Sequence, residues 1–357
     1  MKAANRMPEN RRDPIQTPSL PEILRAVQVS SDALSWRRFT GSLALALTAL
    51  LWLSGAFMAF YYSPYPGAAY DSVQFAQYEL PFGDVVRGVH HWSWNLLLLV
   101  VLLHLCMTFW GASYKEPRRM VWVSGVMLLF FLPFLIITGD LLPWTQEGYW
   151  TTQVRNSIMS SVPGAGPFLV SLLQGGPRTG VVALTRFYVL HTLFLPGILV
   201  GLVGLHLYFL ARSGLSEPIS RPPANTVPFL PVIVSRWLGL FTATVLVLGL
   251  ASRFWFPVPY ADPADPTDSA FVPRPEWWVL FLNKLVGLFT GPLTFVGAVV
   301  IPGLLGGLLM ALPFLDRSPE RRFLRRWKIM LAAAAIATAI LVLSSMAYFE
   351  HYGTPHP

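Results

Sequence analysis

The sequence has very little charge and almost no cysteine. Only 12% of its 357 residues are charged, and Cys106 is the single cysteine. One cysteine excludes a disulfide within the chain and a cluster of thiolate ligands for a metal. A Gly-rich phosphate loop and an activated nucleophile are also missing, so nucleotide-binding and hydrolase chemistry of those kinds are excluded. The first 35 residues are polar, and no cleavable signal peptide is expected there.

Apolar residues are abundant instead. They make up 54% of the sequence, which is typical of a membrane protein. Seven runs are long enough, or nearly so, to cross about 30 Å of hydrocarbon as helices. These runs lie near residues 39–61, 90–112, 120–140, 187–210, 236–256, 292–312 and 329–348. The sequence therefore predicts an all-α, multi-pass membrane protein with about seven spans, in which a four-helix bundle is followed by three helices.

The basic residues are concentrated in alternate connections between these runs. If the N-terminus lies inside, the connections on that side contain 19 of the 26 Lys and Arg residues. The positive-inside rule then predicts a cytoplasmic N-terminus, and the net charge of +8 indicates contact with anionic lipid rather than with nucleic acid. Residues 18–38 are predicted either as an amphipathic surface helix or as a disordered tail.

Four histidines form two pairs within the apolar runs. His90 and His104 are fourteen residues apart, and His191 and His206 are fifteen apart. At about 100° per residue, each pair returns to one helix face, within about 40° and about 60° respectively. Side by side, two such helices set His90 opposite His191 and His104 opposite His206. A non-covalent haem held between two neutral imidazoles suits each pair. His91 faces another direction, and no Cys-x-x-Cys-His motif is present for covalent haem.

Glycines in two other runs repeat the spacing of the first histidine pair. Gly41 with Gly55, and Gly125 with Gly139, are each fourteen residues apart. Glycine lets a flat macrocycle lie against the backbone, although a single glycine in a membrane helix usually serves helix packing.

Two arginines precede histidines of the pairs. Arg87 and Arg186 lie three and five residues before His90 and His191. Each either pairs with a haem propionate or extends to the membrane interface, and both alternatives remain open.

The connection before the sixth run contains a glutamate beside membrane-facing aromatic residues. In Pro275-Glu276-Trp277-Trp278, a desolvated carboxylate would accept a proton near neutral pH. The residues alone favour a helix-cap glutamate with tryptophans at the membrane interface.

Several of these stretches match the motifs of one family. They are FYYSP at 60–64, RGVHHWS at 87–93, GDLLPWTQ at 139–146, LTRFYVLH at 184–191 and PEWW at 275–278. Over roughly residues 36–350 the chain resembles cytochrome b of bc1 and b6f-type complexes, as cytochrome b6 fused to subunit IV. The resemblance implies a cytoplasmic segment 1–38, a b6-like di-haem domain 39–225 and a subunit IV-like domain 226–357.

The resemblance also implies quinol oxidation at the outer face of the cytoplasmic (inner) membrane. His90 and His191 would hold a low-potential haem b, and His104 and His206 a high-potential one. One electron would pass to a Rieske iron–sulfur protein and a c-type cytochrome, and the other through both haems to an inner quinone. The implied quinol-site residues are Asp140, Pro143, Trp144, Pro275, Glu276, Trp277 and Trp278. Arg118 and Arg212 are candidates near the inner site, and a homodimeric complex is expected.

The chain departs from the family's pattern at three positions. Trp278 stands where a tyrosine is usual, which predicts the loss of a hydroxyl, and Asp140 replaces another tyrosine. Phe39 occupies the position of the cysteine that attaches an extra haem in cytochrome b6, so no covalent haem is expected.

Two alternative functions remain. One is a di-haem anchor that serves a multihaem partner in place of a Rieske protein. The other is a haem-free transporter in which the histidines relay protons, and this alternative predicts no fixed relation between glycines and histidines.

Overall fold

The computed structural model is a bundle of long helices with one small sheet. It describes residues 28–30, 36–176, 178–214, 216, 225–228 and 232–353. Strand β1 (Gln28–Ser30) pairs antiparallel with β2 (Thr226–Pro228). Most of the segment 18–38 therefore lies outside the described residues, and the part at 28–30 is neither of the two predicted states. The sheet ties the start of the chain to the connection after the fourth span.

Within the described residues, seven helices are long and apolar enough to cross a membrane, as predicted. They are α1 (Trp36–Ala59), α3 (Gly83–Trp110), α4 (Arg119–Asp140), α7 (Val181–Ser213), α8 (Val234–Phe254), α10 (Gly291–Leu315) and α11 (Phe323–Tyr352). Helices α3 and α7 begin six or seven residues earlier than hydropathy predicts. At about 1.5 Å per residue, the 28 residues of α3 measure about 42 Å. Because this exceeds the apolar thickness of a bilayer, the first turns carry polar residues and escape a hydropathy pattern.

The four histidine- and glycine-bearing helices pair two by two. Helix α1 packs along α3, and α4 packs along α7. The main core lies between them and includes Leu47, Leu97 and Leu98, each at most 4% exposed. Helix α8 covers α1 and α3, and α10 covers α4. The chain's second half is thus packed directly on the bundle.

Helix α7 contains a wide turn at His191, which lies at the end of the bundle that is called the outer end, after the side of the membrane that the sequence predicts for it. Leu190–Phe194 form a π-helical turn, and Pro196 follows it. Proline has no N–H and its ring would clash with the carbonyl four residues back, so a regular α-helix cannot pass this point unchanged. A π turn holds one residue more than an α turn. The fifteen-residue step from His191 to His206 therefore turns the helix only as far as fourteen residues of regular α-helix would. The two histidines consequently have the same relative direction as His90 and His104.

Shorter helices lie between the spans on the outer side. They are α2 (Pro66–Tyr78), α5 (Gln146–Ser160), α6 (Gly166–Gln174) and α9 (Leu280–Gly287). Thr145 is the N-cap of α5: its hydroxyl accepts from the Gly148 N–H at 3.3 Å, and Glu147 lies in the first turn of the helix. The predicted surface helices between the third and fourth spans are α5 and α6.

A buried ionic network joins the two halves at the opposite, inner end. Asp316 accepts from the Lys115 ammonium at 2.8 Å and from the Tyr114 hydroxyl at 2.6 Å. The Arg326 guanidinium donates to the Tyr114 oxygen at 2.5 Å, and its Nε lies 3.6 Å from Asp316. Burial raises the pKa of Asp316, but the hydrogen bonds from Lys115 and Tyr114 outweigh this and hold it below its usual value. One carboxylate thus neutralises charge on two separate connections.

Replacing Asp316 with alanine is expected to destabilise the protein by about 3–5 kcal/mol, because it leaves the buried Lys115 and Arg326 without their anion. Thermal unfolding in detergent measures the change. Glu320→Gln is the matched control, since it removes the partner of the exposed Arg325 in the same connection and is expected to have no measurable effect. An equal loss in both variants would contradict the network's importance.

Candidate functional site

The outer histidines face each other across the bundle. The ring centres of His90 and His191 lie 6.3 Å apart, and the ring planes are inclined by 69°. When two imidazoles share one metal, each nitrogen lies about 2 Å from it, which sets the ring centres roughly 6 Å apart. The separation therefore suits an iron held between the two rings. His91 lies instead against Trp92 and Trp94, with ring centres 5.0 and 6.0 Å away.

Each of the four histidines touches a hydroxyl on the neighbouring helix. On α1, the hydroxyls of Thr40 and Ser54 lie 2.9 Å from Nδ1 of His104 and His90. On α4, the hydroxyls of Ser124 and Thr138 lie 3.0 and 3.3 Å from Nδ1 of His206 and His191, respectively. The same contact thus recurs at four positions, twice on each pair of helices.

These contacts select one tautomer of the histidines. The hydroxyl protons of Ser54, Ser124 and Thr138 are donated to backbone carbonyls four residues earlier, at 2.7, 2.9 and 2.7 Å. Each hydroxyl oxygen then accepts the imidazole's Nδ1–H. The lone pair of the ring consequently lies on Nε2, which is the state a metal-binding imidazole requires.

Each of the four predicted glycines lies next to one of the four histidine rings. A Cβ atom at Gly41 or Gly55 would lie 3.3 Å from Cε1 of His104 or 3.1 Å from Cε1 of His90, and one at Gly125 3.2 Å from Cε1 of His206. At Gly139 the corresponding distance to His191 is only 2.6 Å. The glycines therefore let each imidazole approach the neighbouring helix.

The hydroxyl residues are sites that the spacing argument missed. Each precedes one of the glycines, as Thr40-Gly41, Ser54-Gly55, Ser124-Gly125 and Thr138-Gly139. The signal was present as a Ser/Thr-Gly dipeptide that occurs twice, fourteen residues apart, in each of two spans. A fixed relation between glycines and histidines counts against the haem-free transporter.

The arginines predicted near haem propionates have protein partners. Arg87 donates to the Gln77 side chain and, at 3.3 Å, to the Val258 carbonyl, and it lies 5.1 Å from the ring centre of Tyr260. Arg186 donates to the Leu172 carbonyl. Arg118 forms the N-terminal cap position of α4 at the inner end.

At the outer end, Glu276 lies in a partly buried, acidic environment. Burial, followed by the negative charge of Asp140, raises the pKa of Glu276 to about 7. The Trp278 indole N–H donates to Glu276 Oε2 at 2.5 Å, and this hydrogen bond acts to lower the pKa of Glu276. The side chain is therefore able to gain and lose a proton near neutral pH. Although Trp278 removes a hydroxyl, it keeps a hydrogen-bond donor at this position.

The neighbouring tryptophan has a different partner. Trp277 donates from its indole to Asn95 Oδ1 on α3 at 2.8 Å. Pro275 is held from the last span, because the Tyr352 hydroxyl donates to its carbonyl at 3.1 Å. The two residues on either side of Glu276 are thus tied to different parts of the fold.

The segment around Pro143 and Trp144 packs against the connection between α8 and α9. Trp144 is 6% exposed, has φ of 51°, and accepts at its carbonyl from the Ala264 N–H at 3.0 Å. The Tyr62 hydroxyl donates to the Leu142 carbonyl at 2.7 Å. Two stretches that the sequence resemblance singled out, around residues 60–64 and 139–146, are therefore in contact.

Comparisons with known proteins agree with this arrangement. The family described as Cytochrome b(N-terminal)/b6/petB matches residues 95–263. A protein of Chlorobaculum thiosulfatiphilum named cytochrome bc complex cytochrome b subunit is 30% identical over 337 residues, which are 93% of this chain and 78% of that protein. The chain belongs to the cytochrome b family.

Other members of the cytochrome b family match part or all of the chain. Cytochrome b6 of Heliobacterium modesticaldum is 39% identical over 179 residues, which are 50% of this chain and 84% of that protein. A solved chain named Hyperthermophilic respiratory Complex III is 28% identical with a TM-score of 0.79, covering 95% of this chain and 90% of that one. The cytochrome b fold thus extends over both halves.

Proposed function

We propose that this chain is the di-haem cytochrome b subunit of a quinol oxidoreductase complex. The observation that carries the proposal is the repeated set of four histidines, each with a hydroxyl at Nδ1 and a glycine beneath the ring. Packing alone gives no reason for one tautomer at the three sites where the hydroxyl proton is donated to a carbonyl. Two bis-histidine haems do, because each needs two Nε2 lone pairs.

His90 and His191 hold the outer haem b, and His104 and His206 hold the inner one. The haems supply one-electron transfer across the membrane. The chain's own residues orient the four imidazoles, keep Nδ1 protonated and exclude water with the apolar layer around Leu97. Arg87, Arg186 and Arg118 stay candidates for propionate or inner-site contacts, with the first two also serving as links between segments.

Quinol is oxidised at the outer end, beside Glu276. The carboxylate of Glu276 accepts one of the two quinol protons, and the other leaves to water at the outer face. One electron leaves to a Rieske protein with a c-type cytochrome, and a haem held by His90 and His191 would supply the acceptor for the second. Asp140, Pro143, Trp144, Pro275, Trp277 and Trp278 form the surrounding walls. The relative from Geobacillus thermodenitrificans, 38% identical over 180 residues, is named menaquinol:cytochrome c reductase cytochrome b subunit, which supports this substrate class.

The distribution of basic residues supports a cytoplasmic N-terminus in the inner membrane, with Glu276 on the outer side. Residues 39–225 and 226–357 correspond to the b6-like and subunit IV-like domains. A dimeric complex follows from the family resemblance. The di-haem anchor with a multihaem partner remains the second candidate, supported by the same histidines.

A redox titration of the purified complex tests the haem assignment. Two b-type components with different potentials are expected in the reduced-minus-oxidised spectrum. His90→Ala is expected to remove one and His206→Ala the other, whereas His91→Ala keeps both. A single b-type component in the unmodified protein would contradict the assignment of two haems.

Trp278→Phe is expected to shift the pH dependence of quinol oxidation toward higher pH. The indole N–H stabilises the charged form of Glu276, so its loss raises the pKa of that carboxyl further. The rate is measured from pH 5 to pH 9, with Trp277→Phe as the control, since that indole donates to Asn95. An acidic shift would contradict the assigned direction.

A further inference from the structure

A charged residue pair lies beside Glu276 at the outer end of the bundle. Arg155 on α5 donates from Nη2 to Asp140 Oδ2 at 2.9 Å, and the two side chains are 19% and 28% exposed. The other terminal nitrogen of Arg155 is buried and has no hydrogen-bond partner among the described residues. The pair therefore spans the last turn of α4 and the middle of α5, which flank the outer site.

The two members of this pair act on Glu276 in opposite directions. The negative charge of Asp140 favours protonation of Glu276, and the positive charge of Arg155 favours its ionised form. Removal of either charge leaves the other uncompensated beside Glu276.

The remaining charged and polar groups around Glu276 come from other segments. Trp278 donates to its carboxylate, and Glu147 on α5 adds a second negative charge. Tyr352 on α11 faces Glu276 and Glu147, with Arg274 5.4 Å from the centre of its ring. Glu147 itself accepts from the Arg274 backbone N–H at 2.8 Å, which holds it in place.

We propose that Arg155 is a positioning residue of the outer quinol site, which acts through Glu276. Paired with Asp140, it sets how readily Glu276 accepts the proton of quinol, and the proposal rests on the proposed oxidation of quinol at Glu276. Asp140 is the last residue of α4, and its ion pair with Arg155 sets two charges that compensate each other there. The site of this chain thereby depends on a compensated charge pair.

The two single variants are expected to shift the pH dependence in opposite directions. Asp140→Asn removes a negative charge and moves the midpoint of quinol oxidation about one pH unit down, whereas Arg155→Gln moves it about one unit up. The double variant returns toward the unmodified midpoint. Arg155→Lys restores it, because the charge is kept. A merely structural role cannot produce opposite shifts that cancel.

The experiment uses the complete complex purified from membranes. Quinol-dependent reduction of the b haems is followed from pH 5 to pH 9, and infrared difference spectra titrate the carboxyl band that Glu276→Gln removes. The matched control is the exposed ion pair Asp84–Arg253 on the same side, where Arg253→Gln is expected to leave both titrations unchanged.

The possible results separate the two proposals. Opposite shifts in both readouts support the role of Arg155, and unchanged or parallel shifts overturn it. If quinol fails to reduce the haems of the unmodified complex, the proposed function fails, while the infrared titration of Glu276 still decides whether Arg155 and Asp140 set its proton affinity. If Arg155→Gln does not assemble, the double variant, in which no unpaired charge is left, replaces it: its midpoint is expected to lie above that of Asp140→Asn, and an equal midpoint overturns the role of Arg155.

Discussion

Gly139→Ala is expected to abolish or strongly shift the b-type component that depends on His191. The added Cβ would lie 2.6 Å from Cε1 of that ring, which is closer than real Cβ atoms come, and 3.2 Å from its Nε2. The imidazole has to move away, and its hydrogen bond to Thr138 is lost with it. Because the ligand bond depends on this orientation, the outer haem is expected to be lost or displaced. The haem-to-protein ratio and a redox titration measure the effect.

Gly201→Ala provides the matched control in α7. Nothing lies within 4 Å of a Cβ at that position, so both b-type components are expected to keep their potentials. Gly55→Ala is an intermediate case on the other side of the same proposed haem, with a Cβ 3.1 Å from His90. A normal outer component in Gly139→Ala would show that the glycine does not set the position of His191.

Glu276→Gln is expected to lower the rate of quinol oxidation about a hundredfold or more, which is the usual contribution of a positioned general base. Glutamine matches the size of the side chain and accepts from Trp278, but it takes up no proton. The rate is expected to lose the part of its pH dependence that lies near pH 7, where Glu276 titrates. Pre-steady-state haem reduction by quinol measures this step directly.

The controls for Glu276→Gln separate chemistry from assembly. Haem content and both midpoint potentials are expected to be unchanged, because the glutamate contacts neither histidine pair. Glu79→Gln changes an exposed carboxylate on the same side of the membrane and is expected to keep the full rate. A full rate in Glu276→Gln as well would move the proton acceptor to another group.

The sequence allowed the number and type of spans to be predicted, since long apolar runs depend on local composition. Helical spacing also predicted that His90 and His191 lie opposite each other. The hydropathy pattern predicted the starts of α3 and α7 several residues too late along the chain. Residues such as Asp84 and Thr185 are polar, yet they are still helical outside the hydrocarbon.

Contacts between distant segments could not be predicted from the sequence. Lys115 and Asp316 are 201 residues apart, and nothing in either segment specifies its partner. The pairing of Asp140 with Arg155 depends on how the turn at 141–145 folds α5 back over α4. The hydroxyls at Nδ1 are an intermediate case, because their pattern is visible in the sequence once their purpose is known.

The wide turn at Leu190–Phe194 also bears on how chain length varies in this family. The turn contains one residue more than a regular α-helical turn would hold. A π turn absorbs such an insertion locally, so that the two ligands keep their relative direction and the helix ends keep their place. One added residue is thus accommodated here without rotating one histidine against the other, whereas the same change in α3, which has no such turn between His90 and His104, would rotate one of the two by about 100°.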